Sequence, residues 1–443
     1  MRRLFCVALL AGAACSEVSR VEPGSTDTFY KPTGIGVYAG KLVVASSNAD
    51  LLFDSATGGS VITVDPAVPR PDPTKVGLVG GLLIQSFAAQ MAIADPNDPR
   101  GAEFQCDIPA PIALVPVRGA DLLYRITLGP GGVPSCGDGC VIDLSGHAVA
   151  DPYSVGVACG GGIARLYVGY LRSFAGVATI TQIDLLKNGE MKSNVFGIGQ
   201  MRSFAYDSAH KRLYAAQAGG IHWVDLSEDC DFEAADTSGG CHGGVMAIPS
   251  GLEAHAIALS RPRSEVPTPP RRLYVLARVF DAQAAAAVGI RFGDVDGYLL
   301  VMDLAEDLAG QAQVHLVKPP IRVGFGPIAM ALLPGRAGKR DVVAALTVDD
   351  PALLLFDDDN DASVVIGRDI VSTPSHVATG HPWLGTQTFG LAVDPVATGG
   401  VARVYVGSFQ ESYVTPIDVP LDDIEGTAVP PAAGFARIMG GTP

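Results

Sequence analysis

Charge is scarce in this chain. Only 17% of its 443 residues are Asp, Glu, Lys or Arg, against 48% hydrophobic residues. That balance excludes an intrinsically disordered protein and leaves ample material for a buried core. Tryptophan is scarcer still, with two residues, Trp223 and Trp383. Beyond residue 20 no run of 18 apolar residues occurs, which argues against a bilayer-spanning helix in that part. Complete catalytic signatures are missing too: there is no Gly-x-Ser-x-Gly elbow, Walker loop, His-Glu-x-x-His or Cys-x-x-Cys pair. Basic residues are outnumbered, 31 against 46 acidic ones, for a formal charge of −15. A surface of that sign repels phosphate backbones, which disfavours nucleic acid as a partner, and it keeps a chain soluble.

What is present begins at the N-terminus. Arg2 and Arg3 precede a short apolar stretch, Leu4 to Ala14, which ends in the small residues Gly12, Ala13 and Ala14 before Cys15. The stretch is too short to span a bilayer and has the layout of a removed export signal. Small residues directly before a cysteine are similar to the lipobox of bacterial lipoproteins. That resemblance implies a signal over residues 1–14, an acylated Cys15 and a tether over residues 15–30. The protein would then face the periplasm or outer membrane and touch the membrane only through its lipid. Lipoprotein signals prefer Leu where Gly12 stands, so a plain cleavage site at Ala11-Gly12-Ala13, giving a secreted protein, is the alternative.

With Cys6 removed and Cys15 acylated, six cysteines remain, an even number that suits disulfides in an oxidising compartment. Short loop closure favours Cys230 with Cys241 and Cys136 with Cys140, leaving Cys106 for Cys159, although six cysteines allow fifteen pairings.

Internal repetition identifies the architecture. The phrase Arg165-Leu166-Tyr167-Val168, followed by Ile183-Asp184-Leu185, returns as Arg212-Leu213-Tyr214-Ala215 with Val224-Asp225-Leu226. Further copies are Arg272-Leu273-Tyr274-Val275 with Met302-Asp303-Leu304, and Arg403-Val404-Tyr405-Val406 with Ile417-Asp418-Val419. Degenerate copies start at Lys41 and Asp341, and Ile112 to Tyr124 supplies a seventh strand pair. A small-apolar strand ending in a turn precedes each pair, most clearly in Gly390-Leu391-Ala392-Val393-Asp394-Pro395. Strand-length runs with Gly, Pro and Asp punctuation predict an all-β protein. Sheets buried on both faces are stable only when stacked, and stacking them radially makes a β-propeller. Seven blades of four antiparallel strands, in one domain over residues 31–443, is the predicted fold, with six or eight blades as alternatives. The repeated Asp184, Asp225, Asp303 and Asp418 are expected to cap turns. Residues 66–86, 128–139, 227–250, 276–296 and 366–385 are expected as face loops.

This blade grammar resembles the YVTN-type and lactonase-like propellers of bacteria over most of residues 30–420. The repeated tryptophans of WD40 and quinoprotein propellers are absent. The resemblance implies the fold and carries no catalytic motif with it.

Aligned leading strands place Thr33, Val155, Arg202, His255, Ile328 and Phe389 at the position expected to face the channel, with Gln90 as a seventh. Gln200, Glu253 and Gln387 stand two positions earlier. Arg202, His255, Glu253, Gln200 and Gln387 are therefore candidates for a ligand site, and Arg202, Glu253 and His255 for acid–base chemistry. Polar residues that merely solvate a channel are the plainer account. Asp357, Asp359 and Asp361, in Asp-Asp-Asp-Asn-Asp, alternate as in a calcium loop, without its downstream Gly and Glu. A calcium-type divalent cation there is the single cofactor indicated; an acidic turn is the simpler reading. Ser238-Gly-Gly-Cys241-His242 lacks the first cysteine of a haem attachment site. The functional expectation is a non-catalytic scaffold on the cell envelope with a protein or glycan partner. The alternative is a lactonase-like hydrolase in the channel.

Overall fold

The computed structural model describes residues 24–439 except 54, 68–76, 147–150, 161–162, 172–176, 187–188, 199, 218, 227–229, 233–240, 262–270, 282–295, 307–311, 336–338, 350, 368–375, 378–383, 385–386 and 428–437. The export signal, Cys15 and most of the tether lie outside the described residues, as does Trp383.

Seven sheets follow one another along the chain, each built from a contiguous segment and each based on four antiparallel strands. Their innermost strands are Pro32–Tyr38, Ala92–Ala94, Pro152–Gly160, Met201–Asp207, Leu252–Leu259, Pro327–Leu333 and Thr388–Val393. Neighbouring innermost strands touch around the whole ring, with the first blade against the seventh. The protein is a seven-bladed β-propeller.

Burial explains which strands the sequence exposes most clearly. A middle strand is covered on both faces by adjacent blades, so it becomes a continuous apolar run instead of an alternating one. Ile112–Val117, Val342–Thr347 and Ala352–Asp357 are buried at every position. Outer strands face solvent on one side and are shorter of apolar residues, as in Gly243–Ala247 and Ala312–Leu316. For that reason several expected loops contain outer strands: Gly77–Ile84, Pro134–Ser135, Gly243–Ala247 and His376–Val377. The last of these pairs in parallel with Ala362–Gly367. Arg271–Val279 also runs into the expected loop 276–296.

The recurring small residue of the leading strands has a steric cause. A Cβ on Gly36 would lie 2.6 Å from Ile93 Cδ1, one on Gly156 would lie 2.4 Å from Phe204 Cβ, and one on Gly390 would lie 2.5 Å from Ile35 Cγ1. In each case the neighbour belongs to the next blade of the ring. Closure of blade seven onto blade one uses this contact and no shared strand. Phe29 is buried in one cluster with Ile35, Tyr405 and Val414, and the Lys31 N–H donates to Ser412 Oγ at 3.1 Å.

The Arg and Asp of the repeat meet across the second and third strands. Arg165 Nε lies 3.7 Å from Asp184 Oδ2, and Arg212 and Arg403 reach Asp225 and Asp418 at 2.5 Å. Arg272 pairs with Asp303, and Lys41 with Asp65. Turn capping also occurs, since Asp184 Oδ1 accepts the Leu186 N–H at 2.9 Å. Blades five and six are tied more tightly. Asp358, with a side chain 1% exposed, lies 2.9 Å from Arg272 Nε, Arg340 Nη1 and Lys318 Nζ. Burial alone would raise its pKa, but these cations hold the carboxyl below the ordinary range.

Removing one partner from a buried ion cluster leaves the others uncompensated, at a cost of about 3–5 kcal/mol. Asp358→Ala is therefore expected to lower the urea midpoint strongly. Asp361→Ala, whose carboxylate is 77% exposed, should change stability by less than about 1 kcal/mol. Equal midpoints for the two variants would refute the hub.

Candidate functional site

One irregularity recurs in six of the inner strands. Pairing with the second strand skips a residue near the start: Thr33, Tyr153, Arg202, His255 and Ile328 singly, and Phe389 together with Gly390. A bulge of this kind leaves a residue unpaired and re-aims its side chain. In the seventh case, blade two, Gln90 precedes the inner strand and its N–H donates to the Tyr153 carbonyl at 3.3 Å. Thus the aligned set is recovered with one correction: Tyr153 stands where Val155 was expected. Val155 is paired in register with Val168. The equivalent small residue of that blade is Ser154, and Gly156 mimics it two residues later.

Arg202, Glu253 and His255 do converge. Arg202 Nη2 lies 3.0 Å from Glu253 Oε1, and its Nη1 lies 2.9 Å from His255 Nδ1. Gln200 joins them, accepting from Arg202 Nε at 2.9 Å. Glu253 Oε2 accepts from Arg278 Nη2 at 2.7 Å and stands 3.9 Å from His255 Nε2. Arg278 was not singled out from sequence. It sits directly opposite Glu253 in the antiparallel register, a relation that only strand pairing reveals. Gln387 is not part of the group. Its residue is exposed at the start of blade seven, and its carbonyl accepts the Phe409 N–H at 2.7 Å.

Electrostatics in this cluster follow from burial and mutual pairing. Burial pushes Glu253 up, but the neighbouring His255 imidazole and the Arg202 charge outweigh it and bring its pKa to about 2. Burial lowers His255 to about 4; Glu253 opposes that shift and Arg202 assists it. At neutral pH the cluster holds a carboxylate, a neutral imidazole and two guanidinium groups, each engaged with another.

The acidic run is engaged as well. Asp357 Oδ1 accepts the Asp359 N–H at 2.9 Å and the Asn360 N–H at 3.2 Å, and Asp359 Oδ2 accepts the Arg340 N–H at 2.7 Å. Asp361 faces Lys318 Nζ at 2.9 Å. Cys241 is disulfide-bonded to Cys230, and His242 packs edge-on against Trp223. The other two disulfides are Cys106–Cys159 and Cys136–Cys140, with Cα atoms 4.6 and 5.3 Å apart.

A cavity lies beyond the bulge ring, toward the face where the inner strands end. Its volume is about 400 Å³, and every blade contributes, including Ile35, Met91, Val157, Phe204, Ile257 and Ala331. Innermost strands are sheet edges, so one side of each backbone faces the axis beside these side chains. The rim carries Asp95, Asp98, Arg100, Glu103, Arg261 and Asp341. None of the five residues proposed from sequence lines it. The available signal was positional: the named wall residues fall within the four positions after the channel-facing one in each leading strand. A smaller cavity of about 110 Å³ on the opposite face is bounded by Thr33, Phe87, Gln90, Tyr153, Phe389 and Phe409.

The cluster makes a pH prediction. The unfolded chain protonates His255 near 6.5 and the folded one near 4, so stability falls as pH drops through that interval. Glu253 adds a loss between 4.5 and about 2, where the folded carboxylate resists protonation longer than the unfolded one. His222, lowered to about 4 by burial, acts in the same sense as His255. His255→Gln should therefore flatten the decline of the urea midpoint between pH 6.5 and 4 without abolishing it; an unaltered slope contradicts the assignment.

No family model matches this chain, and no curated protein matches it. Among solved structures it is similar to hydrazine synthase of Kuenenia stuttgartiensis, with a TM-score of 0.55 and 12% identity over 90% of this chain and 98% of that one. A protein from Lactobacillus plantarum aligns with a TM-score of 0.47 and 14% identity over 77% of this chain and 85% of that one. At that identity the first similarity concerns the fold alone, and it agrees with the propeller architecture.

Proposed function

We propose that this chain is an exported, lipid-anchored propeller that binds a ligand in its axial cavity at the cell envelope. The observation that carries this reading is the cavity itself. It is lined by all seven blades and combines an apolar wall with charged residues at its rim. Such a site is built to hold a compact amphipathic group. Binding is favoured over catalysis because Arg202, Glu253 and His255 are bonded to one another and line neither cavity. Export is supported by the signal-like N-terminus and by three disulfides, which suit an oxidising compartment.

Attachment and ligand site are compatible in orientation. The first described residue, Gly24, donates its N–H to the Thr57 carbonyl at 2.9 Å, beside the start of Gly59–Asp65. Pairing of Pro32 with Ser46 and Ser46 with Ser60 puts this point at the face where inner strands begin. A lipid tether leaving there would keep the cavity mouth turned away from the membrane.

Two measurements test the reading. Saturating 4-phenylbutan-1-ol is expected to raise the melting temperature of the wild type, and the rise should vanish in a cavity-filling variant, Ala331→Leu or Ala258→Leu, that still melts cooperatively. No rise in the wild type would count against the cavity as a binding site. The intact precursor expressed in a bacterium that processes lipoproteins should partition into detergent, and Cys15→Ser should move it to the aqueous phase. Unchanged partitioning would refute acylation.

A further inference from the structure

The rim of the axial cavity is unbalanced in charge. Four carboxylates and two guanidinium groups line it. Both cations are committed: Arg100 Nη2 lies 2.6 Å from Asp98 Oδ2, and Arg261 Nη2 lies 2.5 Å from Asp341 Oδ1. Asp95 and Glu103 remain, both partly buried and neither with a cation partner among the described residues. Asp95 accepts the Asn97 N–H at 2.8 Å, which steadies its carboxylate without neutralising it. Its field reaches across the cavity wall, adding to burial in raising the Tyr38 pKa.

Tyr206 lines the cavity with its ring, while its hydroxyl is turned into the blade beside the Tyr167 cluster. The cavity therefore offers two carboxylates able to accept, set against an apolar wall.

The segment that presents Asp95 and Glu103 is held firmly. It connects the first two strands of blade two and is joined to the inner strand of blade three by Cys106–Cys159. Arg100 stacks over Phe104 at 4.4 Å, and the Cys106 N–H donates to the Asp95 carbonyl at 3.0 Å. Gly160, at φ +95°, lies under the Glu103 carbonyl, where a Cβ would approach the oxygen to 3.2 Å. The two carboxylates are thus set before a ligand arrives, which lowers the ordering cost of binding.

We infer that the axial cavity takes a small organic cation, its apolar body against the inner strands and its ammonium group at Asp95 and Glu103. The inference rests on the cavity being the ligand site and adds the charge of the ligand. Three probes of one shape separate the two claims: 4-phenylbutylamine, 4-phenylbutan-1-ol and 4-phenylbutyrate, titrated calorimetrically into the wild type. The amine is expected to bind about tenfold tighter than the alcohol, the effect of roughly one partly screened charge pair. The acid should bind most weakly, and the amine's advantage should shrink as salt is raised. Asp95→Asn combined with Glu103→Gln should bring amine and alcohol together while leaving alcohol binding in place. Where the double variant melts early, Glu103→Gln alone should narrow the gap. Equal binding of amine and alcohol by the wild type, or tightest binding of the acid, overturns the charge assignment and leaves the cavity reading standing. Failure of all three probes overturns both.

Discussion

The ring depends on how closely the innermost strands of adjacent blades approach one another. Gly36 against Ile93, Gly156 against Phe204 and Gly390 against Ile35 leave no room for a methyl group. Protein interiors are close-packed, so a larger residue there would force the facing side chain to repack and, at Gly156 against Phe204 Cβ, the neighbouring strand to shift. Close contact at the axis brings the middle strands together between blades. There the apolar runs are buried, each large side chain contributing about 1.5–3 kcal/mol. Ring closure follows from the same contact: blade seven meets blade one through Gly390, Ile35 and the buried Phe29, with no strand exchanged between sheets.

Crowding at the axis also shapes the two ends of the channel differently. Where the inner strands begin, bulges turn one residue per strand out of register, and at Arg202 and His255 this assembles a buried ion network with Glu253 and Arg278. Where they end, the same strands run in regular register and enclose the large cavity. Ion pairs between blades concentrate at this second end. Arg271 pairs with Asp207, Arg212 reaches Glu306 at 2.8 Å, and Asp358 gathers Arg272, Arg340 and Lys318. These ties link blades four to six around the mouth, while the Cys106–Cys159 disulfide links blades two and three. The mouth is braced by charge and covalent bonds, and its rim still keeps unpaired acids.

Much of the fold was legible because the repeat has a local physical cause. Leu-Tyr-Val phrases such as Leu166-Tyr167-Val168 lie at doubly covered positions, and each marks a second strand. Two of the disulfide pairings were favoured by loop length, and Cys106 with Cys159 was the pair that remained. Outer strands were not legible: with one face in solvent, Gly243–Ala247 carries no run of apolar residues to distinguish it from a loop. The candidate site was half legible. Arg202, His255, Glu253 and Gln200 meet as their alignment implies, whereas Gln387 stands apart and Val155 gives way to Tyr153. The Val155 miss comes from the bulge, whose position depends on the partner strand and leaves no separate mark on the inner one. Gln387 stands apart because the inner strand of blade seven adjoins those of blades six and one, not four and five.

By itself the sequence determined the propeller class, the leading strand and strand pair that mark each blade, and the small residues at the axis, with seven blades as its favoured count. Each of these is set by local patterning and repeated often enough to be read. Tertiary structure alone decided that the repeat's Arg and Asp pair across strands, that Arg278 completes the Arg202 network, and that the axial cavity lies beyond the bulge ring. Those relations join residues up to a full blade apart in the chain, and they exist only once register and ring closure bring them together.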